Sequence, residues 1–329
     1  MICPRISHNI RLAQSGQVQV CGHMVNSPGF NTVDELKNSD WIQSLKSQFS
    51  QEIWPVECIR CQEVESLNQL SIRQHSIASH EHYVQLNKDY IFLTGLLDNV
   101  CNAACVMCSN SASTYIGKLT NNVVLFDNTK QFNEIPTDRL LVFEITGGEP
   151  SVSTTYKRAL MSLTSHTKYV RINTNGSRYM PEIEHLLKQN INVTITLSID
   201  GIGSVFEYIR WPIQWDGFLN VVAKYQDLQK RYENLKLDIW TTVSALNIND
   251  FVNIQNFSNS RGIPMAYALV HKPDCLSIKY KNKFTMASQQ QDLPMADLVG
   301  TDVDNSQALA DFINQQDSIR KININDFIN

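Results

Sequence analysis

Short apolar runs alternate with amphipathic segments along most of this chain. Six runs rich in β-branched and aromatic residues follow residue 88, and each is predicted to be a strand. Four segments between them carry apolar residues at spacings of three and four, which indicates helices with one buried face. Strands that alternate with helices predict a parallel sheet and an α/β fold. The predicted strands are DYIFLTGLL, LLVFEITGG, YVRINTNG, NVTITLSIDG, LDIWTTVSAL and PMAYALV.

The number of repeats predicts the architecture and the domain boundaries. A complete eight-stranded barrel takes about 250 residues, whereas six units in about 180 residues predict a partial (β/α)6 TIM-like barrel. We assign this barrel to residues 90–272. Residues 1–89 form a small cysteine-rich extension with a linker, and residues 273–329 form a partly helical C-terminal extension. The tail QALADFINQQDSIRKININDFIN is typical of an amphipathic helix, which could close the barrel bottom or cover its mouth.

Chemically active residue types gather after the predicted strands. In parallel β/α folds, ligands bind at the carboxyl ends of the strands. Here the first strand leads into LDNVCNAACVMC, the second into GGEP, the third into NTNG and the fourth into SIDG. Thiols, glycines, amides and carboxylates should therefore meet at one edge, which is the candidate active site.

Composition narrows the class of protein. With 43% apolar and 18% charged residues, the 329-residue chain is typical of a folded soluble protein. The net charge of −4 gives no broad basic field, which argues against a nucleic-acid partner. No signal-peptide core and no run of about 18 apolar residues is present, so we expect a cytoplasmic protein without a membrane span.

The eight cysteines are grouped in a way that predicts metal chemistry. Thiols of a cytoplasmic protein stay reduced, so a disulfide framework is not expected. Four cysteines lie in the first fifth of the chain, three follow the first predicted strand, and Cys275 stands alone as an expected structural thiol. Two metal sites are therefore the first hypothesis.

The second group, CNAACVMC, has the spacing C-x3-C-x2-C. It supplies three thiols with no histidine or fourth cysteine close behind, whereas an all-thiolate metal site usually has four ligands. Either another molecule completes the coordination, or the three are inert buried thiols. The motif GGEP at the end of the next strand favours the first interpretation.

Together, CNAACVMC and GGEP resemble the radical S-adenosylmethionine (SAM) superfamily, and the resemblance extends over roughly residues 88–272. It implies that three thiolates bind a [4Fe-4S] cluster whose fourth iron receives SAM. It also implies that the GGE residues receive the SAM amino group, that Ser198 and Arg210 contact its ribose and carboxylate, and that Met107 replaces an aromatic residue beside adenine. The implied cluster ligands are Cys101, Cys105 and Cys108, and the other SAM contacts are Gly147, Gly148 and Glu149.

The N-terminal cysteines resemble those of SPASM and twitch extensions, which hold auxiliary iron-sulfur clusters in many radical SAM enzymes. The resemblance implies a second, auxiliary [4Fe-4S] cluster with four thiolates and no open iron. A structural zinc site with four cysteines is the alternative. Unusually, this extension precedes the barrel. The residues concerned are Cys3, Cys21, Cys58 and Cys61.

The resemblance implies a function and leaves alternatives open. A donor such as flavodoxin or ferredoxin would reduce the first cluster, SAM would yield a 5'-deoxyadenosyl radical, and that radical would take hydrogen from a peptide or small molecule in an oxidative modification. The alternatives are a non-catalytic iron-sulfur or zinc-binding partner protein and an RNA-modifying enzyme of the same superfamily. Asn173 and Asn175 are either site residues or turn residues, and the histidines of RQHSIASHEHY are predicted to lie in a solvated linker rather than a metal site.

Overall fold

A single eight-stranded sheet organises the protein. The computed structural model describes residues 1–290 and 303–328. The strand order is β2-β1-β3-β4-β5-β6-β7-β8, and the six strands from β3 to β8 are parallel, which confirms the predicted α/β fold. The closure of these strands into a partial barrel stays a prediction. The strands are β1 (Asn9–Leu12), β2 (Val18–Gln19), β3 (Ile91–Leu96), β4 (Leu140–Thr146), β5 (Tyr169–Thr174), β6 (Asn192–Ser198), β7 (Leu235–Val243) and β8 (Met265–Leu269).

The helices start and end where the sequence provides capping residues. Ser153 accepts a hydrogen bond from the N–H of Tyr156 at the start of α8, and Gly262 ends α12 in the left-handed conformation. None of the helices in the described ranges has the length and apolar character of a membrane span. The helices are α1 (Pro4–His8), α2 (Val33–Asn38), α3 (Asp40–Ser50), α4 (Ile59–Ser66), α5 (Ile72–Leu86), α6 (Thr114–Leu119), α7 (Thr129–Asn133), α8 (Thr154–Ser162), α9 (Glu182–Lys188), α10 (Ser204–Ile209), α11 (Trp215–Arg231), α12 (Phe251–Arg261), α13 (Lys283–Gln290) and α14 (Ser306–Arg320).

The N-terminal part joins the same sheet. Strand β1 pairs in parallel with β3, and β2 pairs antiparallel with β1. Leu12 and Val18 are completely buried in this hairpin. Backbone hydrogen bonds therefore cross the domain boundary that the sequence predicts between residues 89 and 90.

The histidine-rich segment, which the sequence predicts as a solvated linker, forms a helix with one buried residue, Ser76. Helix α5 begins with a capping box in which Ser71 and Gln74 bond each other's backbone N–H. His80 Nδ1 lies 3.0 Å from the hydroxyl of Tyr90, which fixes the helix near the start of β3. This segment contributes to the fold through ring contacts with the beginning of the sheet.

The C-terminal helix packs against α10 and the cysteine segment. Leu309 and Ile313 of α14 share an apolar cluster with Val106, which lies between two cysteines. Arg320 donates from Nη1 to the carbonyl of Tyr208 at 3.1 Å. This helix therefore supports the cysteine segment from behind, and it lies neither at the beginning of the strands nor along the cavity described below.

Candidate functional site

A cavity of about 280 Å³ lies where the carboxyl ends of β4 to β7 meet the cysteine segment. It brings together every residue that the sequence assigned to the first cluster and to SAM. Asn173 and Asn175 line it as well, so these turn residues also face the site. The sequence-predicted residues in its wall are Cys101, Cys105, Met107, Cys108, Gly147, Gly148, Glu149, Ser198 and Arg210.

Backbone hydrogen bonds hold the cysteine segment in place. The N–H groups of Ala104 and Val106 donate to the carbonyls of Trp211 and Ile209, at 2.7 and 2.9 Å. The N–H of Cys101 donates to Thr114 Oγ1 at 3.2 Å. The segment after β3 is therefore anchored to the end of α10 and to the start of α6.

The three thiols of this segment, here called the rim cysteines (Cys101, Cys105 and Cys108), are half-buried. Burial raises the pKa of Cys101 and Cys108 to about 12 and also raises the pKa of Cys105. Binding of a metal group would therefore displace protons from neutral thiols. Within the described residues, no three His, Cys, Asp or Glu side chains are placed to hold one metal ion. The three thiols around one cavity suit a larger group, such as an iron-sulfur cluster.

A double-glycine turn lets the backbone approach the cavity. Gly147 and Gly148 have φ angles of +82° and +56°. A Cβ on Gly147 would lie 2.0 Å from Leu96 Cδ2, and one on Gly148 would lie 2.8 Å from the carbonyl oxygen of Val100. The buried Tyr156 hydroxyl donates to the carbonyl of Gly147 at 2.8 Å. Only glycine fits both positions, and the turn is fixed by its surroundings.

Glu149 connects the ends of β4 and β5. The residue is only 1% exposed. Its carboxylate accepts hydrogen bonds from the N–H of Ser151 (3.0 Å), the hydroxyl of Thr174 (2.7 Å) and the N–H of Asn175 (2.6 Å). Burial raises the pKa of Glu149, and these donors act in the opposite direction. Since a carboxylate has about four acceptor positions, capacity for roughly one further donor remains.

Arg210 is held by an ion pair that the sequence did not reveal. Its Nη2 lies 2.6 Å from Asp200 Oδ2, and both side chains are buried. Its Nη1 lies 3.9 Å from the sulfur of Cys105. The Nε of Arg210 is buried and has no hydrogen-bond partner among the residues that the structure describes. The guanidinium is therefore fixed beside the rim cysteines with one donor unused; Asp200 in the SIDG motif was the available signal.

Polar residues continue down the same face of the sheet. Side chains two positions apart on a strand share a face. Trp240 lies two positions before Thr242, a cavity residue, and it is 39% exposed. Glu144 and Arg171 likewise precede cavity residues of β4 and β5 by two positions.

These side chains, together with Asp238 two positions before Trp240, are here called the polar row (Glu144, Arg171, Asp238 and Trp240), and the first three are connected by ion pairs. Arg171 donates from Nη1 to Asp238 Oδ2 at 2.9 Å, and its Nε lies 4.0 Å from Glu144. Burial raises the pKa of Glu144, while Arg171 opposes this shift. Sequence reasoning missed the row, although the alternation of polar and apolar residues in these strands was a signal for it.

The N-terminal cysteines (Cys3, Cys21, Cys58 and Cys61) line a second, small cavity. Burial raises the pKa of Cys3 to about 11 and raises the pKa values of Cys58 and Cys61. Arg73 also borders this cavity and forms an ion pair with Glu65. The structure therefore places the four thiols around one cavity, as the sequence predicted. In the described part of the chain, no three of them are placed to bind a single metal ion.

Comparison with known proteins gives a family match for the centre of the chain. Residues 97–257 match the radical SAM superfamily. The mycofactocin maturase MftC of Mycobacterium tuberculosis is 34% identical over 116 residues, which cover 34% of this chain and 28% of the relative. MftC of Mycolicibacterium smegmatis is 34% identical over 115 residues, with the same coverage. The chain thus matches little more than a quarter of the length of these relatives.

Solved structures show only a distant likeness. Streptococcus suis SuiB bound to S-adenosylmethionine has a TM-score of 0.44 and 16% identity, covering 95% of this chain and 70% of that one. The anSMEcpe structure with bound AdoMet has a TM-score of 0.38 and 16% identity, covering 54% of this chain and 51% of that one.

Proposed function

Because residues 97–257 match the radical SAM superfamily, we propose that this protein is an enzyme that cleaves SAM reductively and takes hydrogen from a peptide or small molecule in an oxidative modification. One observation carries the proposal. The rim cysteines, the double-glycine turn and Arg210 surround a single cavity at the carboxyl ends of the strands. This is where a parallel β/α fold places its chemistry.

Each residue of the cavity has a proposed task. The rim cysteines would bind three irons of a [4Fe-4S] cluster. The turn at Gly147 and Gly148 would expose backbone to the SAM amino group, and Glu149 would accept a hydrogen bond from it. The unused Nε of Arg210 would donate to the SAM carboxylate. Ser198 would contact the ribose, and Met107 would lie beside the adenine. When bound, the cluster and SAM supply one-electron cleavage of SAM to methionine and a 5'-deoxyadenosyl radical.

For the N-terminal cysteines we propose an auxiliary [4Fe-4S] cluster. The four thiols share a cavity, as the ligands of one metal group must. Four cysteines could also hold a structural zinc ion. We favour the cluster because residues 97–257 match the radical SAM superfamily and the cysteines resemble those of auxiliary-cluster extensions.

We propose a precursor peptide ahead of a small molecule as the substrate. The relatives named above are maturases by name, and their similarity covers 34% of this chain. The polar row lies directly below the cavity and offers two carboxylates, a guanidinium and an exposed indole for substrate recognition. An RNA substrate is less well supported, since Arg210 is the only cation among the described residues of the cavity wall, and it is paired with Asp200.

The decisive experiment measures SAM cleavage without substrate. The protein is reconstituted anaerobically with iron and sulfide, reduced, and assayed for methionine and 5'-deoxyadenosine. We expect both products from the parent protein and neither from a variant with all three rim cysteines replaced by Ala; a Cys275→Ala variant is the matched control. A reduced protein that contains the first cluster but releases no 5'-deoxyadenosine would instead support a non-catalytic iron-sulfur protein.

A further inference from the structure

A third cavity, of about 220 Å³, lies at the opposite end of the sheet from the rim cysteines, where the strands begin. Lys37 of α2, Lys46 of α3 and Arg139, which immediately precedes β4, all border it. His8, at the end of α1, borders it too, and its ring stacks on Tyr90 with centroids 4.0 Å apart. Three cations from three separate elements therefore meet in one concave space, remote from the cavity at the rim.

Positive charge exceeds negative charge in the wall of this cavity. Neither lysine nor Arg139 forms an ion pair with any residue of the described ranges, and Asp89 is the only carboxylate in the wall among those residues. Arg139 donates from Nε to the backbone carbonyl of Asp89 at 2.9 Å, which orients the guanidinium and leaves its Nη groups available.

The surroundings of Lys37 disfavour its charged form. Burial lowers the pKa of Lys37, and Arg139 lowers it further, while Asp34 and Asp89 act in the opposite direction. Like charges held together in a partly closed space destabilise the fold unless an anion lies between them. The arrangement is therefore more favourable with a bound anion than without one.

We propose that this cavity binds a small oxyanion, a phosphate or carboxylate group, through Lys37, Lys46 and Arg139. Lysine supplies a point charge and arginine a planar pair of donors, which is a suitable combination for such a group. Helix α1 begins directly after Cys3, and Lys46 also borders an adjoining cavity that Cys3 lines. A bound anion would therefore connect the N-terminal helices to Arg139 at the start of β4. The site requires neither SAM nor catalysis, so it is independent of the function proposed above.

The test is a measurement of thermal stability on the full-length reconstituted protein. Inorganic phosphate is titrated into a phosphate-free buffer, and sodium chloride at matched ionic strength is the reference because it screens the same charges. A parallel titration with citrate tests the carboxylate source. The variants are Lys37→Gln, Lys46→Gln and Arg139→Gln, and Lys224→Gln on the exposed side of α11 is the matched control.

We expect phosphate, citrate or both to raise the midpoint of unfolding in a saturable manner, since a ligand of the folded state stabilises it. Each cavity variant should need at least about tenfold more anion for the same shift, while Lys224→Gln should behave like the parent. Without anion, Lys37→Gln should be at least as stable as the parent, so the order of stability reverses on adding the anion. A response to both anions no larger than that to chloride, or one that Lys37→Gln and Arg139→Gln leave unchanged, would overturn the proposal.

Discussion

Replacing Glu149 by Gln separates two roles of this carboxylate. In the folded protein the carboxylate accepts from the N–H groups of Ser151 and Asn175 and from the hydroxyl of Thr174. Glutamine keeps one acceptor oxygen and turns an NH₂ group toward a buried donor. One charge-assisted hydrogen bond is lost and one buried N–H is left unpaired, so we expect a loss of about 2 to 4 kcal/mol in the free energy of unfolding.

The assay is denaturant unfolding under anaerobic conditions, followed by circular dichroism, with SAM binding measured separately by equilibrium dialysis. Thr174→Val is the comparison variant, because it leaves the charge of Glu149 in place at nearly constant volume. It removes the hydroxyl that donates to Glu149 and accepts from the N–H of Gly176, so it should cost about 1 to 3 kcal/mol. If Glu149 also accepts from the SAM ammonium, as the sequence predicts, affinity should fall roughly ten- to a hundredfold. An unchanged midpoint of unfolding in Glu149→Gln would refute the assignment of this carboxylate as a brace between β4 and β5.

Three further predictions follow from the cysteine sets and the polar row. Reconstituted protein should hold about eight irons per chain, and the rim-cysteine Ala variant about half as many; about one zinc with about four irons would contradict the auxiliary cluster. The double variant Cys58→Ala, Cys61→Ala should be less soluble than the parent, since metal binding also stabilises the fold. The fraction that stays soluble should still form 5'-deoxyadenosine but should yield little oxidised product. A normal yield of oxidised product would exclude a redox role for the auxiliary cluster. Burial raises the pKa of Glu144 in the folded protein. The contribution of Glu144 to the free energy of unfolding is therefore complete below the unfolded-state pKa of about 4.3, and it is lost as the pH rises through the folded-state pKa. Glu144→Gln should thus gain thermal stability relative to the parent as the pH rises above about 4.3, and a pH-independent difference would count against the raised pKa.

The sequence predicted the parallel strands because their composition is distinctive. Buried strands rich in Val, Ile and Leu, separated by amphipathic helices, leave few alternative folds. The position of the site followed from the same pattern, because the carboxyl ends of parallel strands meet at one edge. Thus Cys101 and Gly147, which are distant in the sequence, were correctly expected in one place.

Other features had weak or non-local signals. The hairpin of β1 and β2 consists of four and two residues, and its pairing with β3 depends on contacts about 80 residues away in the chain. Helix α5 has scattered polar residues and little amphipathic character, yet Ser71 and Gln74 stand at the spacing of a capping box and could have revealed it. The ion pair of Arg210 with Asp200 requires a three-dimensional approach that no local pattern specifies.

The topology also limits what the N-terminal cysteines can do. Because β2 runs antiparallel to β1, Cys21 follows it back toward the level of Asn9, which pairs with Phe92 near the start of β3. The rim cysteines lie beyond Leu96, the last residue of that strand. Four residues of strand at about 3.3 Å each separate the two levels by roughly 13 Å or more. A group bound by the N-terminal cysteines therefore would not touch a substrate at the rim. Two roles remain for it: electron transfer over that distance, or stabilisation of the N-terminal helices. The variants of Cys58 and Cys61 distinguish these two roles.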